Sequence, residues 1–115
     1  MLTMNDDLEG ALKAYLKLMD AEEYFEAHEV LEEAWHPLRL SDHPLKNLVK
    51  GLINGAVSFE HLKRNRKDAG RKASRVMESY ERHKGLYNDK IAFADLFKEA
   101  CEKIETEKSA HPEVW

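Results

Sequence analysis

The stretch Tyr24-Phe25-Glu26-Ala27-His28-Glu29-Val30-Leu31-Glu32-Glu33-Ala34-Trp35 decides how this chain folds. Wound into a helix at about 100° per residue, it places Phe25, His28, Glu32 and Trp35 on one stripe. Glu26, Glu29, Glu33 and His36 fall on another side. Tyr24, Ala27, Val30, Leu31 and Ala34 fill the remaining arc, which runs continuously into Trp35. An imidazole and a carboxylate one turn apart therefore lie between two large aromatics at the edge of an apolar face. Polar groups cost free energy when buried without partners, so this pair needs other polar groups nearby. That marks a candidate site on a helix.

The same helical period extends over the whole chain of 115 residues, with only three prolines and five glycines. A first helix is predicted over 6–20, with Leu8, Leu12, Tyr15, Leu16 and Met19 at helical spacing and Asn5 or Asp6 as cap. The second covers 22–36 and ends at Pro37, leaving 37–43 as a loop. Asp42 is expected to cap the third helix, over 45–65, with Pro44 in its first turn. Its apolar face is Leu45, Leu48, Val49, Leu52, Ile53, Ala56 and Phe59. A fourth helix is read over 66–84, with Ala69, Ala73, Val76, Met77 and Tyr80 inward and Gly85 ending it. A fifth is read over 91–107, with Phe93, Leu96, Phe97, Ala100, Cys101 and Ile104 as its stripe. No segment alternates with a period of two. The expectation is an all-α, single-domain bundle of about five helices spanning 1–115, with 109–115 a loose tail whose Trp115 can dock on the body.

Composition narrows the function classes. A chain of this length can bury roughly two thirds of its unfolded surface, so it needs neither disulfide nor metal to fold. The lone Cys101 gives no disulfide framework and no thiolate cage, and reads as a core thiol. No apolar run has the length of a membrane span. The first residues lack the basic flank and apolar core of a signal peptide, so a soluble, cytoplasmic protein with no membrane partner is expected. The net charge of −4 argues against nucleic acid as a general partner. Lys63, Arg64, Arg66, Lys67, Arg71, Lys72 and Arg75 nevertheless form a basic block interrupted only by Asp68, read as a solvated helix start that balances the acidic segment between Asp20 and Glu33.

A second unusual feature lies on the third helix. Asn47, Asn54, Ser58 and His61 project within about 60° of one another, all uncharged near neutral pH. Gly51 and Gly55 flank them and lower helix propensity by roughly 1 kcal/mol each relative to alanine, which suggests a close helix crossing there. The second helix is the expected partner, so that Asn54 or His61 would share a hydrogen-bond network with His28 and Glu32. Three readings of this cluster stay open. It can be a structural network that sets helix register. It can be a small-molecule or catalytic pocket in which Glu32 orients His28 and Phe25 and Trp35 form apolar walls. It can be a metal site built from His28, Glu32 and His61. His28-Glu29-x-x-Glu32 has the outline of a metalloprotease helix with its second histidine replaced, and the motif is not repeated on another helix as helix-pair metal sites require.

Phe25-x-x-His28-Glu29-x-x-Glu32-x-x-Trp35, followed by Lys50-Gly51-Leu52-Ile53-Asn54-x-Ala56 and His61-Leu62, resembles the domain-of-unknown-function 309 family, small all-helical proteins mostly of bacteria and archaea. The resemblance covers about 16–76. It implies a helical bundle with the His-Glu segment packed on the Gly-Leu-Ile helix, and assigns no activity. His28, Glu29, Glu32, Trp35, Gly51 and His61 match the family pattern, and Asn54 stands where a glutamine is usual. Arg64 replaces the glycine before Asn65, and Ala69-Gly70 reverses the usual small pair, which puts the turn between the third and fourth helices in doubt.

The functional expectation is a polar pocket between helices two and three, with His28, Glu29, Glu32, Trp35, Asn54 and His61 as candidate residues and a small molecule as ligand. No cofactor is implied, and a homodimer is compatible with the sequence. The alternatives are an adaptor, regulatory or associated with nucleic acid, using the 63–75 surface, and a metal-binding protein.

Overall fold

The computed structural model describes residues 4–115, with side chains from Leu8 onward. Five α-helices follow one another: α1 (Met4–Asp20), α2 (Tyr24–Leu40), α3 (Lys46–Arg64), α4 (Ala69–His83) and α5 (Ala94–Ser109), with a single 3-10 turn (Lys84–Leu86) after α4. Among the described residues there is no strand. Asn5 and Asp6, read as caps, fall inside the first turn of α1, and their side chains lie outside those described.

α3 is the central element because its apolar residues cover most of its circumference. Leu48, Val49, Gly51, Leu52, Ile53, Gly55, Ala56, Ser58 and Phe59 are all buried. α2 packs along one side of α3 and α4 along the other, while α1 packs on α2 and is closed from behind by α5. The stripe Leu8, Leu12, Tyr15, Leu16 and Met19 enters the core as its spacing predicts. The Tyr15 hydroxyl donates to the Leu52 carbonyl at 2.9 Å and ties α1 to the middle of α3. Phe97, Ala100 and Ile104 bring α5 into the same core.

Besides α5, which begins at Ala94 after a left-handed Phe93 rather than at Ile91, three boundaries depart from the sequence expectation. α2 does not stop at Pro37 but continues one turn to Leu40, with Pro37 inside it. A proline in the last turn loses one backbone hydrogen bond, and the packing of Leu38, which is fully buried, holds the turn in place. Asp42 does not cap α3. It has a φ of 54° and closes α2: the Asp42 amide donates to Arg39 at 3.2 Å and the His43 amide to Leu38 at 2.9 Å, the paired bonds of a Schellman turn. Pro44 precedes α3 rather than starting it. The third difference is α4, which begins at Ala69 after a left-handed Asp68 and runs only to His83; Gly85 lies within the 3-10 turn without a positive φ.

The tail is anchored at its tip. Trp115 Nε1 donates to the Lys108 carbonyl at 2.9 Å, and its ring meets Phe59 edge-on with centroids 6.1 Å apart.

Candidate functional site: the groove between α2 and α3

α2 and α3 run antiparallel, so the candidate residues of the two helices meet in reverse order. At one end Lys50 Nζ lies 4.3 Å from the centre of the Trp35 ring, with the Arg39 guanidinium 5.3 Å from it. At the other end the Arg64 guanidinium lies 5.7 Å from the centre of Phe25. Cations over aromatic faces contribute roughly 0.5–1 kcal/mol each at exposed sites, so they pin the helix pair at both ends. Near the Phe25 end Phe25, His28, Val57, Glu60, His61 and Arg64 line a groove of about 190 Å³.

His28 is the best-defined polar group in it. Its side chain is 20% exposed. Nδ1 lies 2.7 Å from the Phe25 carbonyl, an oxygen that can only accept, so Nδ1 carries the hydrogen and donates. Nε2 is then the free ring nitrogen, 3.9 Å from a Glu32 carboxylate oxygen and beyond hydrogen-bond reach of it. The ring also meets Phe25 edge-on, with centroids 5.1 Å apart. His61 enters the groove from α3. Glu60 accepts from Arg64 Nε at 2.5 Å, which fixes the guanidinium over Phe25 and neutralises it.

The other candidates are distributed differently. His28 and His61 share the groove, and Glu32 adjoins it through His28. Trp35 belongs to the Lys50 end of the same seam, and Glu29 is exposed on α2. Asn54 is half-buried but does not line the groove. No hydrogen bond joins His28 or Glu32 to a polar group of α3 among the described residues, so the expected network with Asn54 or His61 does not form; Ser58 donates to the Ala73 carbonyl of α4 at 2.7 Å. Gly51 and Gly55 are likewise not crossed by α2. A Cβ on Gly51 would stand 3.2 Å from the Cα of Tyr80 on α4, and one on Gly55 would stand 2.6 Å from Ile104 Cδ1 on α5. On a helix of 3.6 residues per turn these glycines lie about 100° round from Lys50 and His61, which explains why the same helix shows one edge to α2 and another to α4 and α5.

Among the described residues no three His, Cys, Asp or Glu side chains stand close enough together to hold a metal ion, so His28, Glu32 and His61 do not form a ligand set. Cys101 is half-buried, and burial pushes its thiol up to about 11, which leaves it protonated and inert near neutral pH. Val57 and Glu60 were not singled out from the sequence, and Arg64 was read as part of the basic block rather than of this groove. The signal was available: with His61 they form an i, i+3, i+4, i+7 stripe, and Glu60-x-x-x-Arg64 is an ion-pair spacing.

The family model described as "Domain of unknown function (DUF309)" matches residues 12–73, more than half of the chain. The chain belongs to the DUF309 family. No curated protein and no solved structure matches it. The DUF309 region takes in α1 from Leu12, all of α2 and α3, and the start of α4. It therefore contains every residue of the groove, whereas α5 and Trp115 lie beyond it. Among the described residues of this DUF309 chain no helix is long and apolar enough to cross a membrane.

Proposed function

We propose that this DUF309 protein binds a small ligand in the groove between α2 and α3, with His28 as its principal polar contact. The observation that carries the reading is the 2.7 Å bond from Nδ1 to the Phe25 carbonyl, which fixes the ring and leaves Nε2 as a lone-pair acceptor beside Glu32. The ligand this suits offers an N–H or O–H donor to Nε2 and an apolar edge to Phe25 and Val57. A space of about 190 Å³ is smaller than the roughly 300–1,000 Å³ of sites for drug-sized molecules, so a compact metabolite or the end group of a larger one fits. If the bound group reacts, His28 is the acid or base. A cytoplasmic setting accords with this reading.

The test is a fragment screen followed by amide and imidazole chemical shifts of the full chain. Ligands of this class are expected to move the signals of His28, Val57 and His61 together, and the His28→Ala variant is expected to abolish the response while keeping its helicity. Hits that perturb only residues outside the groove would refute the proposal.

A further inference from the structure

A second surface lies at the junction of α3 and α4, away from the His28 groove. Over 66–75 the chain carries five cations, Arg66, Lys67, Arg71, Lys72 and Arg75, and one acid, Asp68, although the whole chain has a net charge of −4. All five cations are exposed. Elsewhere most cations are engaged: Lys103 pairs with Asp20, Lys108 with Glu81, Arg64 with Glu60, and Lys63 donates to the Glu22 carbonyl. In the 66–75 block only Arg71 is paired, at 3.0 Å from Asp68 and with its side chain 75% exposed. Arg66, Lys67, Lys72 and Arg75 form no ion pair among the described residues. Arg71, Ser74 and Arg75 line a groove of about 640 Å³ together with Gly70, Val114 and two acids, Glu78 and Glu113.

We infer that this surface binds the phosphodiester backbone of a nucleic-acid duplex, weakly and without reading sequence. Exposed cations that form no ion pair, here two in the α3–α4 connection and two on α4, can each displace a counterion from a phosphate, which is the source of non-specific affinity. Single strands are gripped by stacking bases on aromatic rings, and no aromatic residue occurs between Phe59 and Tyr80, both of which are buried. Membrane surfaces are held by cations together with inserted apolar side chains; among the described residues the exposed large hydrophobic ones are Phe25, Leu40 and Leu86, none of them on this block. The acidity of the remaining chain keeps the affinity low, because it repels the same phosphates.

The experiment is fluorescence anisotropy of a short labelled duplex titrated with the full chain over a range of salt. Four free cations predict a log–log salt slope of roughly −3 to −4, so affinity falls on the order of 100-fold between about 50 and 200 mM salt. The combined variant Arg71→Gln, Lys72→Gln, Arg75→Gln is expected to bind at least tenfold more weakly with a shallower slope. Glu113→Gln, which removes a charge from the groove wall, is expected to bind several-fold more tightly, and Lys98→Gln on α5 to bind as the unaltered chain does. Absence of binding at low salt, unchanged affinity in both the triple and the Glu113 variants, tighter binding to an oligo-dT strand than to the duplex, or preferential capture by phosphatidylserine vesicles would each overturn the inference.

Discussion

The Cα of Tyr80 stands 3.2 Å from where a Cβ on Gly51 would lie, so even a methyl group there would push the α4 backbone away by a few tenths of an ångström. The neighbour is backbone and cannot rotate away. Gly51→Ala is therefore expected to lower stability even though alanine favours the helix by roughly 1 kcal/mol. Gly51→Leu should cost more, about 1–3 kcal/mol of overpacking. At Gly55 the obstruction is the terminal methyl of Ile104, which can turn, so Gly55→Ala should come out near neutral. Urea unfolding of the three variants checks this; a Gly51→Ala protein more stable than the parent would contradict the close approach.

Pro37 lies exposed inside the last turn of α2, where it deprives the Glu33 carbonyl of its donor. Pro37→Ala restores that hydrogen bond. It is expected to raise stability by about 1–2 kcal/mol, less than the full interior penalty because the position is near the helix end. Thermal melting measures it, and a lower melting temperature would show that the Schellman turn at Asp42 depends on the proline ring.

The helical stripes were legible in the sequence because burial imposes their period. The apolar stripe of α1 and the whole apolar face read for the third helix, Leu45 to Phe59, are in the core. The end of α2 was not, since Pro37 weakens a helix without forbidding it, and because the turn uses Asp42 in a left-handed conformation where glycine is the usual signal. Spacing also showed that Gly51 and Gly55 meet a neighbour, but the neighbour expected, α2, is not the one they meet. That choice depends on the crossing of α4 and α5, and it moved Ser58 and Asn54 away from His28 while leaving His61 beside it. The groove itself was half legible: both histidines were marked, whereas Val57 and Glu60 were not, and Arg64 was assigned to the basic block.

Three tyrosines should make the protein sensitive to alkali. Burial raises the hydroxyls of Tyr15, Tyr24 and Tyr80 well above the usual phenol range, and the neighbouring carboxylates Glu107 and Glu105 add to the effect for Tyr24 and Tyr80. In the folded state these groups keep their protons, whereas in the unfolded chain they lose them near pH ~10. The unfolded state then binds fewer protons, so stability is intact below about pH 10 and falls as pH rises beyond it. Circular dichroism and tyrosinate absorbance followed together should show the absorbance of these three rings appearing only as helicity is lost. Ionisation of all the tyrosines with full helicity retained would contradict their burial.

The orientation of His28 has a direct spectroscopic consequence. The Phe25 carbonyl accepts from Nδ1, so the neutral ring is expected as the Nδ1–H tautomer, with Nε2 unprotonated. Long-range proton–nitrogen correlation distinguishes the two tautomers. Because the bond is made to a carbonyl of the same helix, His28→Ala should change stability by less than about 1 kcal/mol. A dominant Nε2–H form would show that the ring is not held by Phe25 and would remove the main support for ligand binding at Nε2.

Trp115 closes the far end of the molecule through two separable interactions, the Nε1 bond to Lys108 and the edge contact with Phe59. Trp115→Phe removes the donor and keeps an aromatic ring, and should cost about 1 kcal/mol. Trp115→Ala removes both, together with half-buried apolar area, and should cost about 1–3 kcal/mol. In a Trp35→Phe background Trp115 becomes the sole indole, and its emission should lie to the blue of the unfolded chain and shift red on unfolding. If that emission is already solvent-like in the native protein, and Trp115→Ala melts with the parent, the tail is free and residues 109–115 add nothing to the fold.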